Sequence, residues 1–372
     1  MLTGILGVRL VLLVGSTIPL PPPRHVTDAL RQVTVTNDDR TSDGFQLRFA
    51  VGKDAVVDSS LLASGVVDPL RRVVLGVFFG AMPEVLIDGV VTRHELSPGD
   101  EPGTSTLTVW GRDLSQLFDL EERNEEYPNQ PDFVIATRVI ARYAKYGVVP
   151  KPAPTADFPI QLERIPRQQE TDLAFLNRIA RRNGFVFYVE PVTIGVSSAY
   201  LGPENRLSLP QPALTADMGA ATNVRGLSFS QDGLAPVGVN GSFVEPFLKL
   251  TLPLPQLPSL KLPPLALRPT PPARTVLTRD TAQRNPAQAA LSGLATATNA
   301  PDSVSARGTI DTPRYGHALK ARRLVGVRGA GFSYDGFYYV RSVTHTIERG
   351  SYGQSFELSR EGTGSLTPAV VP

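Results

Sequence analysis

The stretch RQQETDLAFLNRIARRNGFVFYVE, residues 167–190, decides how the rest of the chain is read. Thr171 is placed to cap a helix, Asp172 puts negative charge at its positive end, and Arg181 and Arg182 suit its last turn. Gly184 supplies the left-handed residue that ends it. Leu173, Leu176, Ile179 and Ala180 form one apolar stripe, with Phe175 beside it. The next five residues, Phe185 to Val189, are apolar throughout, so both faces of that strand must be covered. Phe185, Phe187 and Val189 are assigned to one layer, and Val186 and Tyr188 to another. Burial within one chain is the plain account of such a strand; an interface with a partner subunit or neighbouring domain is the sharper one. Asp172, Leu173, Phe175, Leu176, Gly184, Phe185, Phe187 and Tyr188 are therefore the structural and interface candidates.

Working toward the N-terminus, PDFVIATRVIARYAKYG (131–147) reads as an amphipathic helix with Pro131 in its first turn and Gly147 at its end. GRDLSQLFDLEE (111–122) reads as a short helix capped by Asp113, and the acidic run 121–126 as a solvated connector. Before these lie alternating segments. Phe45, Leu47, Phe49 and Val51 share one strand face, Asn37 to Gly44 form the preceding loop, and residues 85–96 and 104–110 pair across SPGDEPG. The first 118 residues thus read as a small antiparallel barrel or sandwich, with the apolar N-terminus as a buried strand near its start.

Toward the C-terminus, residues 211–230 lead into a second β unit, completed by a hairpin of FYYVRSVTHTI and QSFELSR around RGSYG. Between them, residues 244–274 are so rich in proline that neither a regular ladder nor a helix is expected. Its interleaved leucines fit an extended strap on an apolar surface better than an SH3-type ligand. Residues 281–298 read as an Ala-rich helix. The expected fold is α+β and mainly β. The first β-barrel occupies 1–118 and a helix-rich α/β connecting domain 119–190. The second barrel takes 191–243 and 308–366, with the strap and helix inserted over 244–307 and a tail at 367–372. Two barrels of similar size suggest an old duplication.

Composition excludes several chemistries. The 37 Lys and Arg nearly balance 35 Asp and Glu without a long basic run, which argues against a dedicated nucleic-acid binder. Pairs such as Arg181 with Arg182 and Arg322 with Arg323 read as solvated faces. With no cysteine, there is no disulfide, thiolate nucleophile or Cys-based zinc site. The N-terminus lacks the basic start and cleavage site of a signal peptide and, after Arg9, the ~20 apolar residues of a membrane span. A soluble chain made in the cytoplasm, without membrane insertion, is expected. The NGS triplet at 240–242 carries no glycosylation argument without an export signal.

His25, His94, His317 and His345 stand in no metal-ligand spacing, and His94 and His345 read as solvent-compatible strand positions. No nucleophile elbow, P-loop or dinucleotide fingerprint is present. No catalytic, cofactor-binding or metal-binding residue is assigned, and no cofactor is expected.

The unit ETDLAFLNRIARRNGFVFYVE, with DGVVTRHELSPGDEPGTSTLTVWGRDLSQLFD before it and GAGFSYDGFYYVRSVTHTIERGSYGQSFELSREG after it, resembles the phage late-control protein D family. That family comprises the baseplate hubs of contractile phage tails and injection systems, and is similar to the hub portion of VgrG in type VI secretion. The likeness spans roughly Arg31 to Leu366, with the strap matching least. It implies a non-enzymatic homotrimer whose two tail-tube-like barrels per subunit form a six-fold-like ring. Such a ring adapts a hexameric tube protein to a trimeric spike among other baseplate components, inside a phage tail-like particle. The spike portion of VgrG has no counterpart after Gly362, so the spike is expected to be a separate protein. The alternatives are a tail-carried cell-wall hydrolase using paired carboxylates and a monomeric β-rich carbohydrate- or surface-binding protein.

Overall fold

In the computed structural model, which describes residues 8–51, 62, 65–79, 82–101, 104–162, 164–244, 251–253, 259–277 and 286–367, the alternating segments become strands of one 12-stranded sheet. Its first part contains β1 (Val8–Gly15), β2 (Leu30–Asp38), β3 (Gly44–Val51), β4 (Arg72–Phe79), β5 (Met82–Ser97) and β6 (Ser105–Asp113), with a short helix α1 (Arg24–Ala29) before β2. Neighbours run antiparallel in the order β1-β4-β5-β6-β3-β2. Strand alternation sends Val33, Val35, Phe45, Leu47, Phe49, Leu107 and Val109 into one core. Their opposite faces carry Thr34, Thr36, Gln46 and Arg48. The expected buried N-terminal strand is β1, which among the described residues is an edge strand paired along its length with β4; Leu12 is buried, and Val8, Leu10 and Val14 are half-buried against the same core.

The middle unit begins after a 3₁₀ turn, Leu114–Asp119, which Asp113 caps by accepting from Ser115 N–H. It contains β7 (Glu122–Glu126), α2 (Asp132–Ala141), β8 (Val148–Pro152), β9 (Arg167–Thr171), α3 (Asp172–Asn183), β10 (Val186–Thr193) and β11 (Val196–Gly202). The acidic run, expected as a solvated connector, is largely exposed but also forms a strand. As β7 it pairs with β9, setting Glu126 against Arg167 and Arg123 against Glu170, so cross-strand charges offset one another. Strands β10, β11 and β8 form a small sheet under α2 and α3, with a core of its own around Phe118, Ile135, Val139, Phe175, Leu176, Ile179 and Val189.

The third part contains β12 (Gln211–Thr215), β13 (Val224–Gln231), β14 (Val237–Asn240), β15 (Ser242–Val244), β16 (Thr251–Pro253), β17 (Ala266–Pro269), β18 (Arg274–Leu277), α4 (Pro286–Asn299), β19 (Val304–Ile310), α5 (Thr312–Tyr315), β20 (Leu324–Arg328), β21 (Gly336–Glu348), β22 (Ser351–Arg360) and β23 (Gly362–Ser365). The large sheet continues from β2 through β21-β22-β19-β13, with β20 on β21 and β12 on β20. Two separately closed barrels are not seen among the described residues. The two β units instead join edge to edge through β2 and β21, where Thr36 lies opposite Thr344. They share one topology: the order β4-β5-β6-β3-β2 is repeated as β20-β21-β22-β19-β13.

The proline-rich strap does form ladders, contrary to expectation, but short ones. Strand β17 pairs with β23 and β16 with β15, each of four residues or fewer, with Pro269 and Pro253 at the strand ends. Leu265 anchors it on Leu324 and Tyr339. Residues 281–285 of the expected Ala-rich helix lie outside the described residues; α4 supplies the remainder. No helix among the described residues is long and apolar enough to cross a membrane.

Candidate functional site

The side chains with the greatest electrostatic consequence sit where elements and units meet. Helices α2 and α3 are tied at both ends. Asp172, at the start of α3, accepts from Arg142 Nη1 at 2.9 Å and the Tyr143 hydroxyl at 2.8 Å, both just past the end of α2. Gln168 Nε2 adds a third bond at 2.7 Å, and Arg142 also grips Glu125. At the other end Asp132, which opens α2, accepts from Arg182 and from Asn183 Nδ2. Each carboxylate thus sits at a helix N-terminus and each arginine near a C-terminus, the arrangement that both helix dipoles favour.

The interface candidates fall around this pair. Thr171 caps α3 by accepting from Ala174 N–H at 3.2 Å, and Gly184 ends it at φ 67°. A Cβ on Gly184 would stand 3.1 Å from Ala295 Cα, a tight contact that α4 would have to yield to, on a left-handed backbone that glycine adopts without strain. Asp172, Phe175, Leu176, Gly184 and Tyr188 are buried by the chain itself. Leu173, Phe185 and Phe187 keep partial exposure while packing on the middle core. The two layers assigned to β10 are distinct: Val189 and Phe187 join the helical core, whereas Tyr188 turns to Tyr200 and to the guanidinium of Arg322, 4.3 Å above its ring.

Three further buried clusters join the units. Arg72 forms a two-pronged pair with Asp88 at 2.8 and 2.6 Å and also donates to the carbonyls of Thr17 and Gly195, linking the first β unit to the middle one. Arg322 reaches from the second unit to both oxygens of Asp43, at 3.0 and 2.5 Å, and to the Asp38 carbonyl. Its assignment to a solvated face is corrected, because Asp43 in the first unit and Tyr188 in the middle one enclose it. In the third cluster Arg206 meets Glu204, Asp302 and Glu361, while Lys261 and Arg341 also approach Asp302. Burial pushes Asp302 up, but Lys261, Arg206 and Arg341 outweigh it and hold the carboxyl below its usual range. Arg341 also pairs with Asp39 of the first unit at 3.2 Å.

Two carboxyls have raised pKa values. Burial lifts Asp39 to about 6 against the pull of Arg341, and burial with the neighbouring Asp43 lifts Asp113 to about 6. Both are buried and bonded to groups of the chain: Asp113 accepts from the backbone N–H groups of Ser115 and Asp43, and Asp39 from Arg341. His345 is not solvent-compatible. It is buried, its Nδ1 lies 2.9 Å from the Tyr352 hydroxyl, and burial lowers its pKa to about 3, so the ring is neutral. Among the described residues, no group of three or more His, Cys, Asp and Glu side chains could hold a metal ion.

Comparison of the coordinates with solved structures finds the same architecture in a tail protein from Neisseria meningitidis MC58. Its TM-score is 0.63 at 15% identity, covering 95% of this chain and 97% of that one. The fold is that of phage tail proteins. A 43 kDa tail protein of prophage MuSo2 from Shewanella oneidensis matches with TM-score 0.60 and 14% identity over 95% and 98% of the two chains. An E. coli component of the type VI secretion system, described as structurally similar to the T4 tail proteins gp27 and gp5, matches at 0.52 and 13% over 92% and 77%. No protein-family model and no curated protein matches the chain.

The arginine clusters escaped the reading of the sequence because their partners are remote, as with Arg322 and Asp43, 279 positions apart. The position of His345 was legible, since Thr344 and Thr346 flank it on the outward face and alternation places it inward.

Proposed function

We propose that this chain is a non-enzymatic structural protein of a phage tail or contractile injection system, and that it serves as the baseplate hub. The observation that carries this reading is the repeated β unit within one chain, joined through β2 and β21. Three copies present six similar units, so a single protein can meet a six-fold tube on one side and a three-fold spike on the other. The tail-protein fold along nearly the whole chain supports the same reading. The buried ion clusters suit a structural part, since they tie three units together through paired charges. Leu173, Phe185 and Phe187, the half-exposed members of the middle unit, are its candidates for partner contact. Assembly takes place in the cytoplasm, before the ring enters the particle. Negative-stain images of the purified protein, alone and with its cognate spike and tube proteins, test this. The expected projection is a three-fold ring with six similar densities around a channel, and isolated single chains in every mixture would contradict it.

A further inference from the structure

The two β units correspond residue by residue, and the correspondence exposes a missing joint. In the first unit the β5–β6 register shifts between Val91 and Arg93; in the second the β21–β22 register shifts between Val340 and Ser342. Thr92 and Arg341 are therefore equivalent bulge residues. Just before them, Val91 N–H donates to Arg71 O and Val340 N–H to Arg323 O, the same bond in each unit. At the other end of the unit, Asp38 Oδ1 accepts from Arg40 N–H at 2.9 Å and Asp232 Oδ1 from Leu234 N–H at 2.8 Å, which makes β13 the equivalent of β2.

Each long strand has an edge divided in two. On β21, residues up to Tyr339 pair with β20 and residues from Ser342 pair with β2. On β5, residues up to Val90 pair with β4, but Thr92–Ser97 have no strand on that side among the described residues and are exposed. The strand that would fill this place, β13, pairs among the described residues only with β19 and ends the sheet there. The joint made within the chain by β2 and β21 is thus left unmade by β13 and β5.

Resting on the trimeric reading above, we infer that the free edge of β13 in one copy pairs antiparallel with Arg93–Ser97 of β5 in the next, repeating the β2–β21 joint between copies. Transferring the β2–β21 register sets Ser228 opposite Ser97, Phe229 opposite Leu96, Ser230 opposite Glu95, Gln231 opposite His94 and Asp232 opposite Arg93. The side chains agree with that register. Leu96, 41% exposed, meets the half-buried Phe229, and cationic Arg93 meets anionic Asp232. A second copy is the occupant because this pairing uses both unfilled edges at once, and repeating it around a ring leaves neither open. Each copy contributes eight strands, β5-β6-β3-β2-β21-β22-β19-β13, to a continuous cylinder.

The absence of native cysteine makes the test direct. The full-length double variant Ser97→Cys with Ser228→Cys, oxidised mildly, is expected to give covalent dimers and trimers on a non-reducing denaturing gel. Residues directly opposite lie about 4.5–5.5 Å apart, within disulfide reach. The displaced pair Ser97→Cys with Ser230→Cys should link about tenfold less. Arg93→Asp, at an exposed position, is expected to raise the concentration needed for assembly about tenfold or more, and adding Asp232→Arg to restore it. Trimers by light scattering that fail to link through the matched pair, or a charge exchange that fails to restore assembly, overturn the joint and leave the hub reading standing. Single chains at every concentration, without links between copies, overturn both.

Discussion

Leu70 and Arg322 hold the same left-handed backbone conformation at equivalent places in the two β units, with φ of 64° and 63°. Each donates its N–H to the carbonyl of the residue before the bulge, Val91 for Leu70 and Val340 for Arg322. Their side chains have parted. Leu70 is 46% exposed, whereas Arg322 is buried against Asp43 and Tyr188. One backbone device occurs in both units, and in the second its side chain ties the units together.

Glycine at these two positions should therefore act in opposite directions. Leu70→Gly removes a left-handed leucine at some entropic cost and is expected to stabilise by up to about 1 kcal/mol. Arg322→Gly relieves the same backbone but leaves Asp43 buried without its cation, an expected loss of about 3–5 kcal/mol. Urea denaturation of both variants checks the contrast; equal effects would mean that the ion pair does not secure the joint.

Asp172→Asn should cost about 3 kcal/mol, because it removes the charge that Arg142 and Tyr143 converge on. Adding Arg142→Gln should cost less than the sum of the two single changes, since both act in one network. Strict additivity in a double-mutant cycle would refute the coupling.

At Gly184 a methyl group meets both a left-handed backbone and the approach of α4. Gly184→Ala should lower stability by at least ~1–2 kcal/mol, measured by thermal unfolding, and raise hydrogen exchange at the end of α3. An unchanged melting temperature would contradict this.

His345 gives the chain an acid response. Its pKa, lowered to about 3 by burial, means that the stability it contributes is full above the unfolded value of 6.5 and lost as pH falls toward 3. At pH 5 the loss is about 2 kcal/mol. Asp39 and Asp113, raised to about 6, act with the opposite sign: their contribution is present below 3.8 and lost as pH rises through 6. His345→Gln, compared with the unaltered chain between pH 7 and 5, should remove the acid loss and leave stability rising on acidification. Parallel pH profiles would count against a buried neutral imidazole.

What was legible in the sequence is what local chemistry specifies. Thr171 and Gly184 bound α3, and the alternation in residues 45–51 marks β3, because caps and strand period are written within a few residues. The repeat was suspected only from the size of the units. It is carried by bulge position, turn geometry and backbone angle, which Leu70 and Arg322, or Thr92 and Arg341, satisfy with unrelated side chains. The ion clusters were hidden for another reason: an arginine next to a second arginine looks solvated until the fold brings its remote carboxylate to it, as it brings Asp43 to Arg322.

The most direct test of the central claim is the mass of the purified chain in solution by light scattering, with and without its cognate spike protein. The account predicts a trimer, three times the 40.1 kDa of one chain, either alone or once the spike is added. A stable monomer indifferent to the spike would contradict it.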